Sequence, residues 1–174
     1  PATGVDGTPI FVYSDGSGAG LAVDGPIGRR IYLAFGAEGA GDRSALAGLY
    51  DRAIGWLQSP RAELTVEPAQ LAPGDSAVVT LTLHGHRADR RATVRVSAPD
   101  SVILDPGPGA RSDGQNVVAW EGLLEAGAPT TVVLGARLSG AVRAGLPLTL
   151  TARVEAGGRP VTATVQLGAL APDV

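Results

Sequence analysis

Ser76–Gly85 reads SAVVTLTLHG, and its alternation decides the fold. In an extended chain Val79, Leu81 and Leu83 point one way, and Val78, Thr80, Thr82 and His84 the other, because successive side chains of a strand face opposite sides. One side is aliphatic and the other largely hydroxyl-bearing, as in a strand that buries a single face. LTLTARVEA repeats the grammar, with Leu148, Leu150, Ala152 and Val154 on one side.

Working outward, short strands arrive every 10 to 15 residues from Arg61 onward, with no helical period between them. The expected strands are Glu63–Glu67, Ala77–His84, Ala92–Ser97, Val102–Leu104, Val117–Trp120, Thr131–Leu138, Leu148–Glu155 and Thr162–Leu167. Strands at this spacing, separated by Pro/Gly turns, predict an antiparallel β-sandwich. Trp120, the one large aromatic of this part, is expected in its core.

Residues 1–60 follow a different grammar. Pro9–Ser14, Gly20–Asp24 and Arg29–Phe35 read as strands joined by the glycine-rich SDGSG and DGPIG, which predicts a three-stranded antiparallel meander. GDRSALAGLYDRAIGWLQSP then reads as a helix, with Asp42 as N-cap and Pro60 ending the segment. Leu46, Leu49, Tyr50, Ala53, Ile54 and Leu57 make one apolar face. Gly48 and Gly55 should each cost about 1 kcal/mol relative to alanine. Seven residues apart, they fall on one side, which close packing against a neighbouring element would explain. The run Ile31–Phe35 is apolar throughout and calls for cover on both faces; the helix supplies one. The other cover must be the sandwich, a partner chain or sequence outside this chain, and contact with the sandwich or a second molecule is expected. Ser59-Pro60 marks the boundary, with no long linker.

Composition narrows the function classes. The chain has 174 residues, 44% hydrophobic and 4% aromatic, with Gly 25, Pro 13 and net charge −3. That fits a turn-rich β protein and not a disordered one. All 14 basic residues are arginine, dispersed along the chain, and are read as base-composition bias. A pI near 5.3 argues against general nucleic-acid binding. Without cysteine there is no disulfide, thiolate metal site or cysteine nucleophile. No apolar run approaches the ~20 residues that span a bilayer, and no signal peptide is present. With a first residue other than methionine, the expectation is a mature, excised or engineered fragment.

Two resemblances add to this. LAPGDSAVVTLTL, with its Pro-Gly-Asp turn leading into alternating Val and Thr, resembles the opening of bacterial immunoglobulin-like surface-repeat domains. SAPDSVILDPG is similar to their segment after the third strand, and VVAWEGLLEAGAPTTVVLGARL to their Trp strand, glycine turn and following strand; the likeness covers residues 62–168. It implies a spacer, stalk or binding platform on a secreted or surface protein. GRRIYLAFGAEGAGDRSALAGLYDRAIGWL resembles the closing strand and helix of glutamine-amidotransferase-like α/β domains. That family's cysteine nucleophile has no counterpart, residues 1–60 hold no histidine, and no catalytic residue is carried over.

Candidate functional residues are few. Glu38, after the strand end Phe35-Gly36, can act as a general base or orienting group; as a loop carboxylate it would pair with Arg43 or cap the helix. His84 and His86, at i, i+2, would share a face and could begin a zinc site, but need a third ligand, for which Asp89 is the local choice. Arg87, Arg90 and Arg91 oppose a cation there and favour a solvated hairpin or a basic patch for an acidic partner. SDGSGAG lacks the features of a P-loop or EF-hand and reads as a hairpin turn. DPGPGARSDGQN places Asp105 and Asp113 in a long surface loop, a weak calcium or recognition candidate. Neither a serine triad nor a Gly-x-Ser-x-Gly elbow can be assembled.

The expected fold is therefore mainly β: an immunoglobulin-like antiparallel β-sandwich over 61–174, preceded by a small α+β segment over 1–60 that is the tail of a larger α/β domain or a subdomain packed on the sandwich. The expected function is a non-catalytic structural or interaction module at the C-terminal end of a larger secreted or surface bacterial protein, located outside the cell or on its surface. No metal or cofactor is expected, and no membrane insertion by this chain. Its partner is a protein or the rest of the parent, and the sheet of the first segment, if without neighbours, can self-associate. The competing reading is part of an amidotransferase-like or peptidase-like hydrolase with catalytic residues upstream or on another chain. A free-standing carbohydrate or protein binder is disfavoured, because Tyr13, Tyr32, Phe35, Tyr50 and Trp56 are expected to be taken up in packing.

Overall fold

The Pro-Gly-Asp turn at the head of the deciding strand closes as its residues require. Asp75 N–H donates to Ala72 O (3.1 Å) and Ala72 N–H to Asp75 Oδ2 (3.2 Å). Pro73 and Gly74 occupy the central positions, and Gly74 takes φ +91°, open at low cost only to glycine. The computed structural model describes residues 7–12, 14, 16, 18–25, 28–34, 42–84, 89–114, 116–139, 142, 144–157 and 160–171. The chain divides into two units, residues 1–58 and 59–174.

In the first unit, β1 (Gly7–Val12), β2 (Gly18–Gly25) and β3 (Gly28–Leu33) form an antiparallel sheet in the order β1-β2-β3, the expected meander. The helix α1 spans Arg43–Gln58. Asp42 caps it, its Oδ1 accepting from Ser44 N–H (2.8 Å) and Ala45 N–H (3.2 Å), the second and third helical residues. Arg29 ties β3 to the far end of the helix. Its guanidinium lies 5.0 Å from the centre of the Trp56 ring, and its Nη1 donates to Trp56 O at 3.0 Å. A cation thus stacks on an aromatic ring and meets a carbonyl of the last turn, where the helix is partly negative.

Three expectations for this unit are corrected. No helix residue is buried, and Tyr50 (42% exposed) and Ile54 (49%) face outward, so the apolar stripe is only partly covered. Tyr32, placed in packing by its apolar neighbours, is 53% exposed, and Ile31 and Leu33 are half-buried. A continuous apolar run calls for two covers, but β3 is an edge strand beside β2 alone, and among the described residues the helix does not close over it. Close packing at the glycine pair is not seen among the described residues either: a Cβ at Gly55 would meet nothing within 4 Å, and one at Gly48 only the tip of Arg52.

The second unit contains all eight expected strands: β4 (Arg61–Glu67), β6 (Ser76–His84), β7 (Arg90–Ser97), β8 (Val102–Asp105), β10 (Val117–Leu124), β11 (Pro129–Leu138), β12 (Pro147–Glu155) and β13 (Val161–Ala169). Two short ones are added, β5 (Gln70–Leu71) and β9 (Ala110–Ser112). One sheet runs β4-β6-β11-β8 and the other β5-β13-β12-β7-β10-β9. The peptide Glu67–Pro68 is cis, between β4 of the first sheet and β5, which pairs in parallel with β13 of the second. The first sheet has the A-B-E-D order of an immunoglobulin domain, and β13-β12-β7 take the places of G, F and C. The unit is an immunoglobulin-like β-sandwich. It departs from the simple order between β7 and β11, where the chain crosses to β8 and returns through β9 to lay β10 beside β7.

The core follows the alternation residue by residue. Val79, Leu81 and Leu83 are fully buried on β6, while Val78 is 51% exposed on the other face. Leu148, Leu150, Ala152 and Val154 point inward from β12 to meet them. Register aligns the inner rows: Val118 opposes Val96, which opposes Ala152, and Trp120 opposes Val94, which opposes Val154. Trp120 was expected within the core and is only half-buried, packed against its margin near the β9 edge. Its ring lies along its own strand over Gly122, where a Cβ would collide with it.

Candidate interaction surfaces

The polar residues of the sandwich lie on its two outer faces and at its strand ends. Across the six-stranded sheet, register sets Arg111, Ala119, Arg95 and Arg153 in one row. The next row holds Glu121, Thr93 and Glu155. Arg95 and Arg153 are directly opposite, a like-charge pair that disfavours the ladder unless each finds an acid. Arg95 pairs with Asp113 (2.5 Å) and Arg153 with Glu155 (3.0 Å), and Arg91 reaches Glu121 at 3.5 Å. Arg95, Asp113, Arg153 and Glu155, with Ala119 and Trp120, help to line a groove of about 300 Å³. The pairs are solvent-exposed, the class that contributes ~0.2–1 kcal/mol each, so they tune the face more than they hold the fold.

The outer face of the four-stranded sheet differs. Thr65, Thr80 and Val133 form one row, and Val78 and Gly135 stand in the next. Charges sit at the margins, at Arg61, Glu63, Glu67 and Asp105. A second groove, of about 630 Å³, lies where β8 meets the β9–β10 turn, between Asp100, Asp105, Ser112, Asn116 and Ser139. Asn116 Nδ2 donates to Asp100 Oδ1 at 3.1 Å across it.

The sequence candidates fall as follows. Glu38, His86 and Arg87 lie outside the described residues, as do Tyr13 and Phe35. His84 ends β6, exposed, opposite Arg61 and Pro129. Arg90 and Arg91 begin β7 opposite Leu124 and Leu123. Asp89 is engaged elsewhere, its Oδ1 accepting from Ala126 N–H at 2.9 Å. Asp105 and Asp113 part company, Asp105 in the groove beside β8 and Asp113 on Arg95. Among the described residues no three His, Cys, Asp or Glu side chains gather as a metal site would need. The charge lattice was not foreseen. Its period-2 signal was present in RRATVRVS and TARVE, but which arginine faces which acid depends on register.

No protein-family model matches the chain, and no curated protein sequence does. Solved structures do resemble it. The major pilin subunit BcpA of Bacillus cereus, in its D312A form, matches at TM-score 0.48 and 9% identity, over 67% of this chain and 41% of the pilin. An uncharacterized protein from Nocardia farcinica with an immunoglobulin-like fold matches at 0.45 and 19%, over 61% of this chain and 98% of that one. A type I cohesin from Pseudobacteroides cellulosolvens matches at 0.42 and 6%, over 65% and 94%. These are likenesses of fold, and the chain spans about two-fifths of the pilin's length. Among the described residues no helix is long and apolar enough to cross a membrane.

Proposed function

We propose that the chain is a non-catalytic structural and interaction module of a larger secreted or surface bacterial protein, engaging a protein partner. The observation that carries this reading is the division of labour in the sandwich. Its core cluster is aliphatic, and the ion pairs Arg91–Glu121, Arg95–Asp113 and Arg153–Glu155 are all exposed. Such a unit offers surfaces rather than a concave site where polar groups converge on a reacting atom. The basic run that includes Arg90 and Arg91 belongs to the same reading, as a patch for an acidic partner.

Residues 1–60 are, in this proposal, the tail of a larger amidotransferase-like α/β domain, with Gly28–Leu57 its closing strand and helix. The capped helix and the Arg29–Trp56 anchor support it, together with a helix that buries none of its own side chains. The experiment is to read the coding sequence 5′ to the Pro1 codon. A signal peptide and the rest of an α/β domain lacking a cysteine nucleophile and histidine are expected; an α/β domain that carries both would replace this reading with the hydrolase one, and repeats alone would overturn the assignment of residues 1–60.

A further inference from the structure

The edges of the sandwich are guarded unequally. β8 has four residues and is followed by Pro106, and β9 has three. β4 carries Arg61, Glu63 and Glu67 and runs into Pro68. Short, charged or proline-flanked edges resist pairing with other chains. β13 is different. Of its nine residues β5 covers only Gly168 and Ala169, and the open stretch 161–167 holds no charge, proline or glycine.

Two bonds give the direction of its main-chain groups. Gly168 N–H donates to Ala69 O (2.8 Å) and Leu170 N–H to Leu71 O (2.8 Å), on the side of β13 away from β12. N–H and C=O of one strand residue point the same way and alternate along the chain. Those of Thr162, Thr164 and Gln166 therefore point outward as well. Among the described residues no main-chain hydrogen bond meets them there. The inner row beside this open main chain is aliphatic and only half-buried, at Val161, Ala163 and Val165. So are Ala62 and Val66 of β4, which approaches β13 from the other sheet.

We infer that the open edge of β13 is a self-pairing site, where a second copy of this chain adds its own β13 antiparallel about a two-fold axis at Thr164. Outward groups must oppose outward groups, and one register uses them all. It sets Thr164 opposite Thr164 of the copy and Thr162 opposite Gln166. Each opposed pair exchanges both main-chain bonds, and Ala163 comes beside Val165 of the copy, so the half-buried rows cover one another. A register two residues away leaves a pair unused or sets one against Gly168, which β5 already holds.

The length of the window selects the copy over a foreign strand. β5 stops any added chain at Gly168, so an extended segment of another protein would have to end or bend within the window. In the two-fold register the copy reaches that level at Pro160, just before its own β13 begins. There its chain connects back to its own β12, and proline has no N–H to leave unmatched. Two uncharged stretches also meet without repulsion, with threonine facing threonine on the axis. The contact is closed and isologous. The inference goes beyond the module reading and does not depend on it.

The test is sedimentation velocity of the whole chain over a rising concentration series, with a monomer–dimer equilibrium expected. A residue on a two-fold axis opposes itself, and Thr164 is exposed in the single chain, so a charge there burdens only the dimer. Thr164→Lys and Thr164→Glu should each weaken dimerisation at least about tenfold, and an equal mixture of the two should restore it. In the unaltered dimer the amides of Thr162, Thr164 and Gln166 should exchange at least about tenfold more slowly than in the monomer. A chain that stays monomeric throughout leaves the edge to another occupant and overturns the inference. A dimer that neither charge weakens, or that protects other amides, places the contact elsewhere and overturns it too. So does a mixture that regains nothing. None of these outcomes touches the module reading, which is tested on the upstream coding sequence.

Discussion

The two units carry the same kinds of local signal and differ in what those signals close upon. Of the buried apolar side chains described, all but Ala19 and Val23 belong to the sandwich. Both units have strands in register and well-formed turns or caps; Asp42 caps its helix as well as Pro73-Gly74 makes its turn. In the sandwich each strand's apolar face meets an opposing sheet, and every added strand enlarges one core. In the first unit three strands and a helix leave Tyr32, Tyr50 and Ile54 in solvent. Local chemistry specifies elements, but a second layer turns them into a stable body, because burial must offset the conformational entropy of ordering the chain.

The contrast is broken most decisively by separating the units. Residues 59–174 alone should unfold cooperatively by circular dichroism and calorimetry, and residues 1–58 alone should show little residual structure. A cooperative melt of 1–58 would mean that its stability does not depend on a larger core. Next in size is a paired truncation. Leu81→Ala, in the fully buried row, should cost about 2–5 kcal/mol in denaturant titration. Leu49→Ala, on the half-covered helix, should cost less than about 1 kcal/mol, read from the amide protection of its own unit. Equal costs would erase the distinction.

A smaller effect tests the margin of the sandwich. Gly122→Val places a branched side chain where the Trp120 ring lies, and overpacking there should cost about 1–3 kcal/mol. The ring should be displaced outward, with a red-shifted Trp120 fluorescence in a Trp56→Phe background. An unchanged spectrum would show that the ring does not depend on the glycine beneath it.

Legibility follows the same line. SAVVTLTLHG and LTLTARVEA displayed their buried faces because a two-residue period needs no knowledge of partners, and all eight predicted strands are present. β5 and β9 were missed because two or three residues carry no period; their pairing is a tertiary result. Strand ends erred for a related reason. β10 runs to Leu124, beyond the expected Trp120, because β7 holds Glu121–Leu124 in the ladder through Thr93–Arg90. Trp120 was misplaced by hydrophobicity alone, which cannot see that it stands on the strand beside a three-residue edge. The charge lattice depends on register. The outer-face residues were visible in sequence, but their neighbours were not.

The smallest expected effects lie in the helix, and their signs separate local from tertiary causes. Asp42→Ala removes the acceptor for two N–H groups of the first turn and should cost about 1 kcal/mol of helix stability. Gly55→Ala adds a methyl group where nothing stands within 4 Å and reduces the freedom of the unfolded chain, so it should gain about 0.4–1 kcal/mol. Helical ellipticity and amide protection over Arg43–Gln58 would fall in the first variant, rise in the second and nearly cancel in the double. If Gly55→Ala instead lowers protection, something packs closely against that side of the helix. The glycine pair would then mark an interface, and the first unit would owe its stability to a neighbour seated there.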